Sequence, residues 1–488
     1  MAHRRIAALA DAVCCASLLA CTDEAYLDRA GQLAAGAGGA EAMSGGDSGG
    51  GATGHTGRAP VRAVVDVATA PAQLAFAPLI AAPTANQFTL NAVLATGRPS
   101  RLRVQVRAEG DADFGAPVSP ETPADDIAQW EVDGLAPGTR YEYRIFDPNG
   151  TSPSSLYEGS VVTQREPGDP FTFTLLTDSH IPIPDVVPAD LQTDSFNEQT
   201  LLAVAEEMAV HRPDFMIHLG DMLDFHRFGF NVPAPDGSWT RLGYLNYRRL
   251  LTDTAGHVAH FCVIGNWEGE DGFFTAEEIE RSRQQRLLYL PGPTPDTYPE
   301  GGSSGQDYYA FTWGDALFVV LNVMSYTPTA HLLSSAKPGL PDDWTLGGAQ
   351  LRWLSDTLKA ATSRWRFLFI HHTVGGAAGN EYNSGYGRGG GLAAHVGEQA
   401  TVHALMLQHG VQVMFYGHDH VFVDMVVDGI HYTLPGSAGA PWKFTSAETG
   451  YTDYWTESGH ARVDLNPDAV EVQFIAVGGD LLHAFTIE

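Results

Sequence analysis

Two histidines flank an aspartate at Gly417-His418-Asp419-His420, immediately after the apolar run 411–416. Such a run reads as a buried strand, and Gly417 is expected to turn the chain sharply off its end. Histidines at i and i+2 beyond a strand reach neighbouring points in space. One such run means little, because a lone histidine is more often a satisfied core residue than a ligand. Here the arrangement recurs. The run 171–177 leads into Asp178-Ser179-His180, and 214–219 into Gly220-Asp221. The run 261–264 leads into Gly265-Asn266-Trp267-Glu268, and 366–370 into His371-His372. Parallel strands that all end on Asp, Asn or His are expected to converge at one edge of a sheet, where open α/β folds place their sites. The gathered donors are oxygens and imidazole nitrogens, with no thiolate among them. That chemistry is metal binding.

The elements that must position these residues surround them. Beyond about Asp169, strands alternate with helices, the pattern of an α/β domain. The spacing predicts a helix over 198–211, with Leu201, Leu202, Val204, Ala205 and Met208 on an apolar face. A second is predicted over 350–361, with Leu351, Trp353, Leu354 and Leu358 inward, and a short third over 402–409. Residues 309–313 and 316–322 read as a hairpin leading into a further strand. Cys262 falls in a core strand, where it serves as a small apolar filler. Upstream, 88–94 and 102–107 alternate as half-buried strands do. Within 130–145, Leu135, Pro137, Thr139 and Tyr141 match the corner of immunoglobulin-like sandwiches, where a tyrosine hydroxyl ties back to nearby backbone. Tyr141 is therefore read as structural.

A chain of 488 residues allows two or three domains, and 44% hydrophobic residues supply a sizeable core. The formal net charge of −30 argues against nucleic acid as a bulk partner, since nothing would neutralise its backbone. A small phosphate substrate stays open, because bound divalent cations would dominate the local field. Met1-Ala-His-Arg-Arg5 is basic and 6–20 is mostly apolar, although Asp11 interrupts it; residues 1–21 read as a signal peptide. Leu18-Leu19-Ala20-Cys21 resembles a bacterial lipobox, with Cys21 as the lipidated first residue and membrane anchor. The expected location is exported: a periplasmic or cell-surface lipoprotein, otherwise a secreted protein. No other stretch is long and apolar enough to span a membrane. Residues 22–68 form a Gly/Ala-rich linker, 69–167 the β-sandwich and 168–488 the α/β domain. Oligomeric state is not legible.

Taken in order, Asp178-x-His180, Gly220-Asp221, Gly265-Asn266, His371 and Gly417-x-x-His420 resemble the motifs of the calcineurin-like metallophosphoesterase superfamily. The resemblance runs from about Phe171 to the C-terminus. Gln350 to Leu354 is similar to the helix before the family's fourth motif, and Pro435-Gly436-Ser437 to the turn after its fifth. The segment 130–145 resembles a fibronectin type III module of the kind preceding the catalytic domain in purple acid phosphatases and PhoD-type enzymes. The implied fold is a four-layer α/β/β/α domain with two mixed sheets, behind an all-β fibronectin III-like sandwich.

The implied centre is binuclear, with two divalent or trivalent ions (Mn, Fe or Zn). One takes Asp178, His180, Asp221 and His420. The other takes Asp221, Asn266, His371 and His418, with Asp221 bridging. His371 is preferred to His372 because the family's ligand directly follows the strand; His372 then packs or hydrogen-bonds behind it. The implied reaction is hydrolysis of a small phosphate ester by a metal-bridging hydroxide, with in-line attack on a phosphoryl group clamped by both ions. Monoesters stand ahead of diesters on family grounds.

Two departures stand out. The family's third motif carries a histidine where this chain has Trp267, and indole offers only an N–H donor. Losing general-acid help costs about 10²–10⁴-fold with poor leaving groups. His226 could reach in as a surrogate, the substrate could have a good leaving group, or the chain could be an exported metal- and phosphate-binding pseudoenzyme with little turnover. The second departure is Asp224, where purple acid phosphatases carry the tyrosine that colours their iron; a centre here should be colourless. Finally, the Gly-rich loop 375–391 follows a ligand strand and carries Arg388, a candidate to grip a phosphate oxygen.

Overall fold

Phe215–His218, Ala259–Cys262 and Val413–Phe415 carry apolar or buried side chains at successive positions, so neither face of these strands suits water. Such strands belong in the interior of parallel sheets. In the computed structural model, residues 71–150, 155–182, 196–224, 238–270, 276–323, 345–374, 386–387 and 398–488 are described. The leader with Cys21, the Gly/Ala-rich linker, His226 and Arg388 lie outside them.

Phe171–Leu176, Phe215–His218 and Ala259–Cys262 pair in parallel at the centre of one sheet, with His218 opposite both Leu176 and Cys262. Gly459–Leu465, Val470–Ala476 and Leu481–Ile487 extend this sheet antiparallel beyond Phe171–Leu176. In the second sheet Ala316–Val320, Trp365–Phe369, Val413–Phe415 and Ile430–Pro435 are parallel. Tyr309–Trp313 and Phe422–Val427 close its two edges antiparallel.

The expectation of a single sheet edge is thereby corrected. The five strands that lead into the polar motifs divide three and two between two sheets. Apolar runs report that a strand is buried, not which strand it pairs with. The two sheets meet through phenylalanine: Phe173 lies 5.3 Å from Phe215 in its own sheet and 5.2 Å, edge-on, from Phe318 in the other. Phe369 and Phe415 stack at 5.3 Å. Each buried ring contributes roughly 2–3 kcal/mol, and its ring contacts about 1 kcal/mol more. This layer holds the two sets of strand ends in fixed relation.

Alternate residues of the same strands pack against helices. Met216 and Cys262 join Leu201, Val204 and Met208 of helix Phe196–Val210 and Tyr247 of helix Ser238–Leu250. Leu368 and Met414 join Leu354 and Leu358 of Gly347–Ala360 and Val402 and Met406 of Glu398–Gln408. These helices start two to four residues earlier than their apolar periodicity suggested. Cys262 is a free, buried thiol, pushed up to about 11 by burial, as a filler should be.

Upstream, the strands of the β region fall into two groups. Arg103–Ala108, Arg140–Phe146 and Tyr157–Val162 form an antiparallel sheet. Leu79–Ala81, Phe88–Thr96, Ile127–Val132 and Glu121–Ala124 continue the first α/β sheet, because Ala81 pairs with His260. Fully buried Arg248 donates Nη1 to Asn91 Oδ1 (2.6 Å) and Nη2 to Asn91 O (2.8 Å). Buried Asp214 accepts from Arg165 Nε (2.7 Å) and Nη2 (2.9 Å). Ala136 N donates to the Tyr141 hydroxyl at 2.9 Å, so the hydroxyl ties back to backbone as the sequence suggested.

His260 is buried on its strand beside the Tyr247 hydroxyl (2.9 Å), and burial with Arg248 nearby lowers it to about 3. Its folded value lies below the unfolded value near 6.5, so its neutral form is favoured by folding. The stability it allows is intact above pH 6.5 and lost as pH falls toward 3. Between pH 7 and pH 5 this histidine alone should cost about 2 kcal/mol. Urea melts at the two pH values should show a loss smaller by about that amount in His260→Gln; an identical loss would refute the assignment.

Candidate metal centre

The chain leaves three of the five site strands through turns that ordinary residues avoid. Asp178 (φ 52°), His180 (45°), Asp221 (55°), His418 (78°) and His420 (59°) all adopt left-handed backbone. Non-glycine residues there cost roughly 1–3 kcal/mol each and persist only where their surroundings over-determine them. The surroundings do so by direct loop-to-loop hydrogen bonds. Asp178 N donates to Gly220 O (3.0 Å), His180 N to Asp221 O (2.9 Å), Gly417 N to His371 O (2.9 Å) and Ala440 N to Asp178 O (2.9 Å). Gly220 is required by its φ of 99°, and a Cβ there would come within 2.7 Å of Gly265 N. Gly417 has no positive φ; its role is room, because a Cβ would meet Thr177 Oγ1 at 2.3 Å. That revises the turn expected of it.

Two groups of side chains result. Asp178, His180, Asp221 and His420 bring one donor atom each within 4.8 Å of one another, and His371, His372 and His418 do the same. Asp221 Oδ2 stands between them, 3.5 Å from His180 Nε2 and 3.1 Å from His371 Nε2. His371 Nδ1 donates to Leu219 O (2.7 Å), so its Nε2 carries the lone pair facing Asp221. His420 Nδ1 donates to Trp442 O (3.0 Å), so its Nε2 lone pair faces His180 Nε2 at 3.2 Å and Asp178 Oδ1 at 3.3 Å. His372 joins the second group with its ring 4.0 Å from that of His418.

The negative charge of this site is buried. Asp178, Asp221 and Glu268 are all inaccessible to solvent. Burial raises Asp178, against the opposing pull of His371, Thr177, the His418 N–H and Lys443. Burial and then Asp221 push Glu268 up to about 8. Buried Asn266 Oδ1 and His371 Nε2 have no hydrogen-bond partner among the described residues. Carboxylates, lone pairs and an orphan amide oxygen aimed into one volume fit cations, which would satisfy all of them together.

Several contributors carried no readable signal. Glu268 gathers four backbone donors, from Gly265 (2.6 Å), Met222 (2.5 Å), Asp221 (3.2 Å) and Leu223 (3.4 Å). Its position after Gly265-Asn266 was visible in sequence, but its grip on the Asp221 turn was not. His218 Nδ1 accepts from Gly220 N (3.2 Å), so its Nε2–H donates to Ser179 Oγ (2.7 Å). Burial keeps His218 well below its ordinary value, neutral and structural. Tyr451 donates to Asp419 Oδ2 at 2.7 Å, fixing the residue between His418 and His420. Trp267 N donates to Asp221 Oδ1 (2.9 Å), and Asp224 is buried with its N–H on Ile181 O (3.0 Å).

Residues 171–422, slightly more than half of the chain, match the family model described as Calcineurin-like phosphoesterase. The chain belongs to this family. It is a metal-dependent phosphoric ester hydrolase. The fold is similar to that of the purple acid phosphatase PPD1 from yellow lupin (Lupinus luteus) seeds, at 14% identity and a TM-score of 0.61, covering 84% of this chain and 74% of that one. GAP50, the anchor in the inner membrane complex of Plasmodium, matches 65% of this chain and 89% of its own at 12% identity and a TM-score of 0.40. No curated protein matches the sequence.

If Glu268 orders the Asp221 turn, removing its carboxyl should be felt at the metal. Glu268→Ala should weaken metal binding about 10–100-fold, a loss typical of groups that orient ligands. Calorimetric titration of metal into the apoprotein, with circular dichroism to confirm folding, measures this. A folded variant with unchanged affinity would remove Glu268 from the account.

Proposed function

We propose that the centre is binuclear and hydrolyses phosphoric monoesters in preference to diesters. One ion is assigned to Asp178, His180, Asp221 and His420, the other to Asp221, Asn266, His371 and His418. The observation that carries this is the position of Asp221 Oδ2, within 3.5 Å of an imidazole nitrogen from each group. Oxygen and imidazole donors without thiolate suit Mn, Fe or Zn. When bound, such a pair acidifies water and neutralises charge on phosphoryl oxygens.

The chain's own contribution is orientation. Asp221 is aimed by Trp267 N and by the Glu268-held turn, His371 and His420 by carbonyls that fix their tautomers. Asn266 offers a neutral oxygen and so limits the negative charge in the site. Trp267 can donate a hydrogen bond but cannot deliver a proton to a departing oxygen. His226 and Arg388 remain this reading's candidates for proton delivery and phosphate grip. Asp224, in place of a phenol, suits a colourless centre.

The same reading takes the domain as a four-layer α/β/β/α arrangement, supported by the helices that pack on alternate residues of both sheets. The β region is read as fibronectin III-like, supported by the Ala136-to-Tyr141 hydrogen bond. The leader-like composition of residues 1–21 supports export, with lipid attachment at Cys21.

The test is a panel of aryl and alkyl monoesters, diesters and nucleotides with Mn, Fe and Zn. Asp221→Ala should lower kcat/KM by about 10²–10³-fold or more and reduce bound metal below two equivalents. Trp267→His should raise turnover of alkyl monoesters by about 10²-fold while changing activated esters far less. Two equivalents of metal bound with no turnover of any ester would leave a metal-binding protein in place of the enzyme.

A further inference from the structure

Three aromatic rings pack around the imidazoles of His180 and His420. Trp267 meets His180 edge-on at 5.2 Å between centroids. Trp442 lies 5.0 Å from His180 and 5.3 Å from His420. Phe444 lies 5.1 Å from His420. Among the described residues, none of the three falls in the three large hydrophobic clusters between sheets and helices. Trp267 is buried, whereas Trp442 and Phe444 are half-buried. The latter two sit on a short loop pinned to the site through the Trp442 carbonyl and Ala440 N. Large rings normally stabilise a fold by entering a core. Rings gathered instead around a few convergent polar groups are the usual lining of a small-molecule pocket.

We propose that Trp267, Trp442 and Phe444 form a wall selecting phosphoric esters of planar aromatic alcohols, that is, aryl esters. The inference rests on the phosphoester-hydrolysing reading of the centre and names its substrate class. Two independent features converge on it. The wall sets rings, two of them half-buried, beside the side chains that would flank the phosphoryl group, the place an aryl leaving group would take. Trp267 also occupies the family's histidine position, and its indole cannot deliver a proton to a departing oxygen. In the reaction, a water oxygen forms the new P–O bond and the bond from phosphorus to the phenolic oxygen breaks. The phenolate departs with the electron pair and takes its proton from solvent, a step an alkoxide makes far less readily. Aromatic walls also bind cations. Lys443, between Trp442 and Phe444, opposes that alternative by placing an ammonium on the same loop, with Nζ 3.2 Å from Ser458 Oγ.

The test uses non-hydrolysable probes, so its readout does not depend on turnover. Mn-loaded full-length protein is titrated calorimetrically with phenylphosphonate, methylphosphonate and inorganic phosphate. Phenylphosphonate should bind about tenfold tighter than methylphosphonate. That advantage should fall below about threefold in Trp442→Ala and persist in Trp442→Phe. Phe444→Ala is read the same way and keeps the test decisive if Trp442→Ala does not fold. Equal affinity for the two phosphonates in the unaltered protein overturns the proposal, as does an advantage that survives removal of either ring. Failure of all three ligands to bind metal-loaded protein is a different result, and it overturns the phosphoester reading itself.

Discussion

Asp178, Asp221 and Glu268 place three carboxyl groups out of reach of water in one small volume. Each loses hydration worth several kcal/mol, and like charges at close range repel strongly where the dielectric is low. The surrounding structure answers that problem piece by piece. Glu268 is ringed by four backbone N–H groups. Asp178 takes the Thr177 hydroxyl at 2.8 Å and the His418 N–H at 3.0 Å. Asp221 receives the Trp267 N–H on Oδ1 at 2.9 Å. The Asn266 amide oxygen and the His371 Nε2 lone pair, buried without a hydrogen-bond partner among the described residues, are the share that cations complete. Affinity for metal is thus the remainder of a charge problem that the polypeptide solves only in part.

Holding that arrangement requires backbone conformations that the residues themselves disfavour. Five aspartates and histidines in left-handed backbone, spread over three strand-end loops, store strain. The compensation comes from the loop-to-loop hydrogen bonds between them, made by strand ends that the phenylalanine layer holds together. Core packing and chemistry are therefore one system here.

The parts legible in sequence were those with a local signature. Apolar runs followed by Asp178, Asp221, Asn266, His371 or His418 marked strand ends and their polar residues, and helical periodicity located three helices. The division of those strands between two sheets was not legible, because burial on both faces looks the same in either sheet. Nor was the merger of Leu79–Ala81 into the α/β sheet, which depends on one pairing across about 180 residues. Glu268 acts through backbone groups of another loop, His218 through the Ser179 hydroxyl, and Trp442 and Phe444 act on histidines at a distance. Interactions of that kind leave no spacing to read. His226 and Arg388 were reasoned from loop position alone, and they fall outside the described residues.

The contact of Ala81 with His260 has a consequence for the molecule as a whole. Without the β region, Ala259–Cys262 would become the outermost strand of its sheet, four buried residues suddenly presenting bare N–H and C=O groups. Such an edge is a template for another copy of the chain, and proteins that leave one open tend to aggregate. The upstream strands therefore cover that edge from within the same sheet.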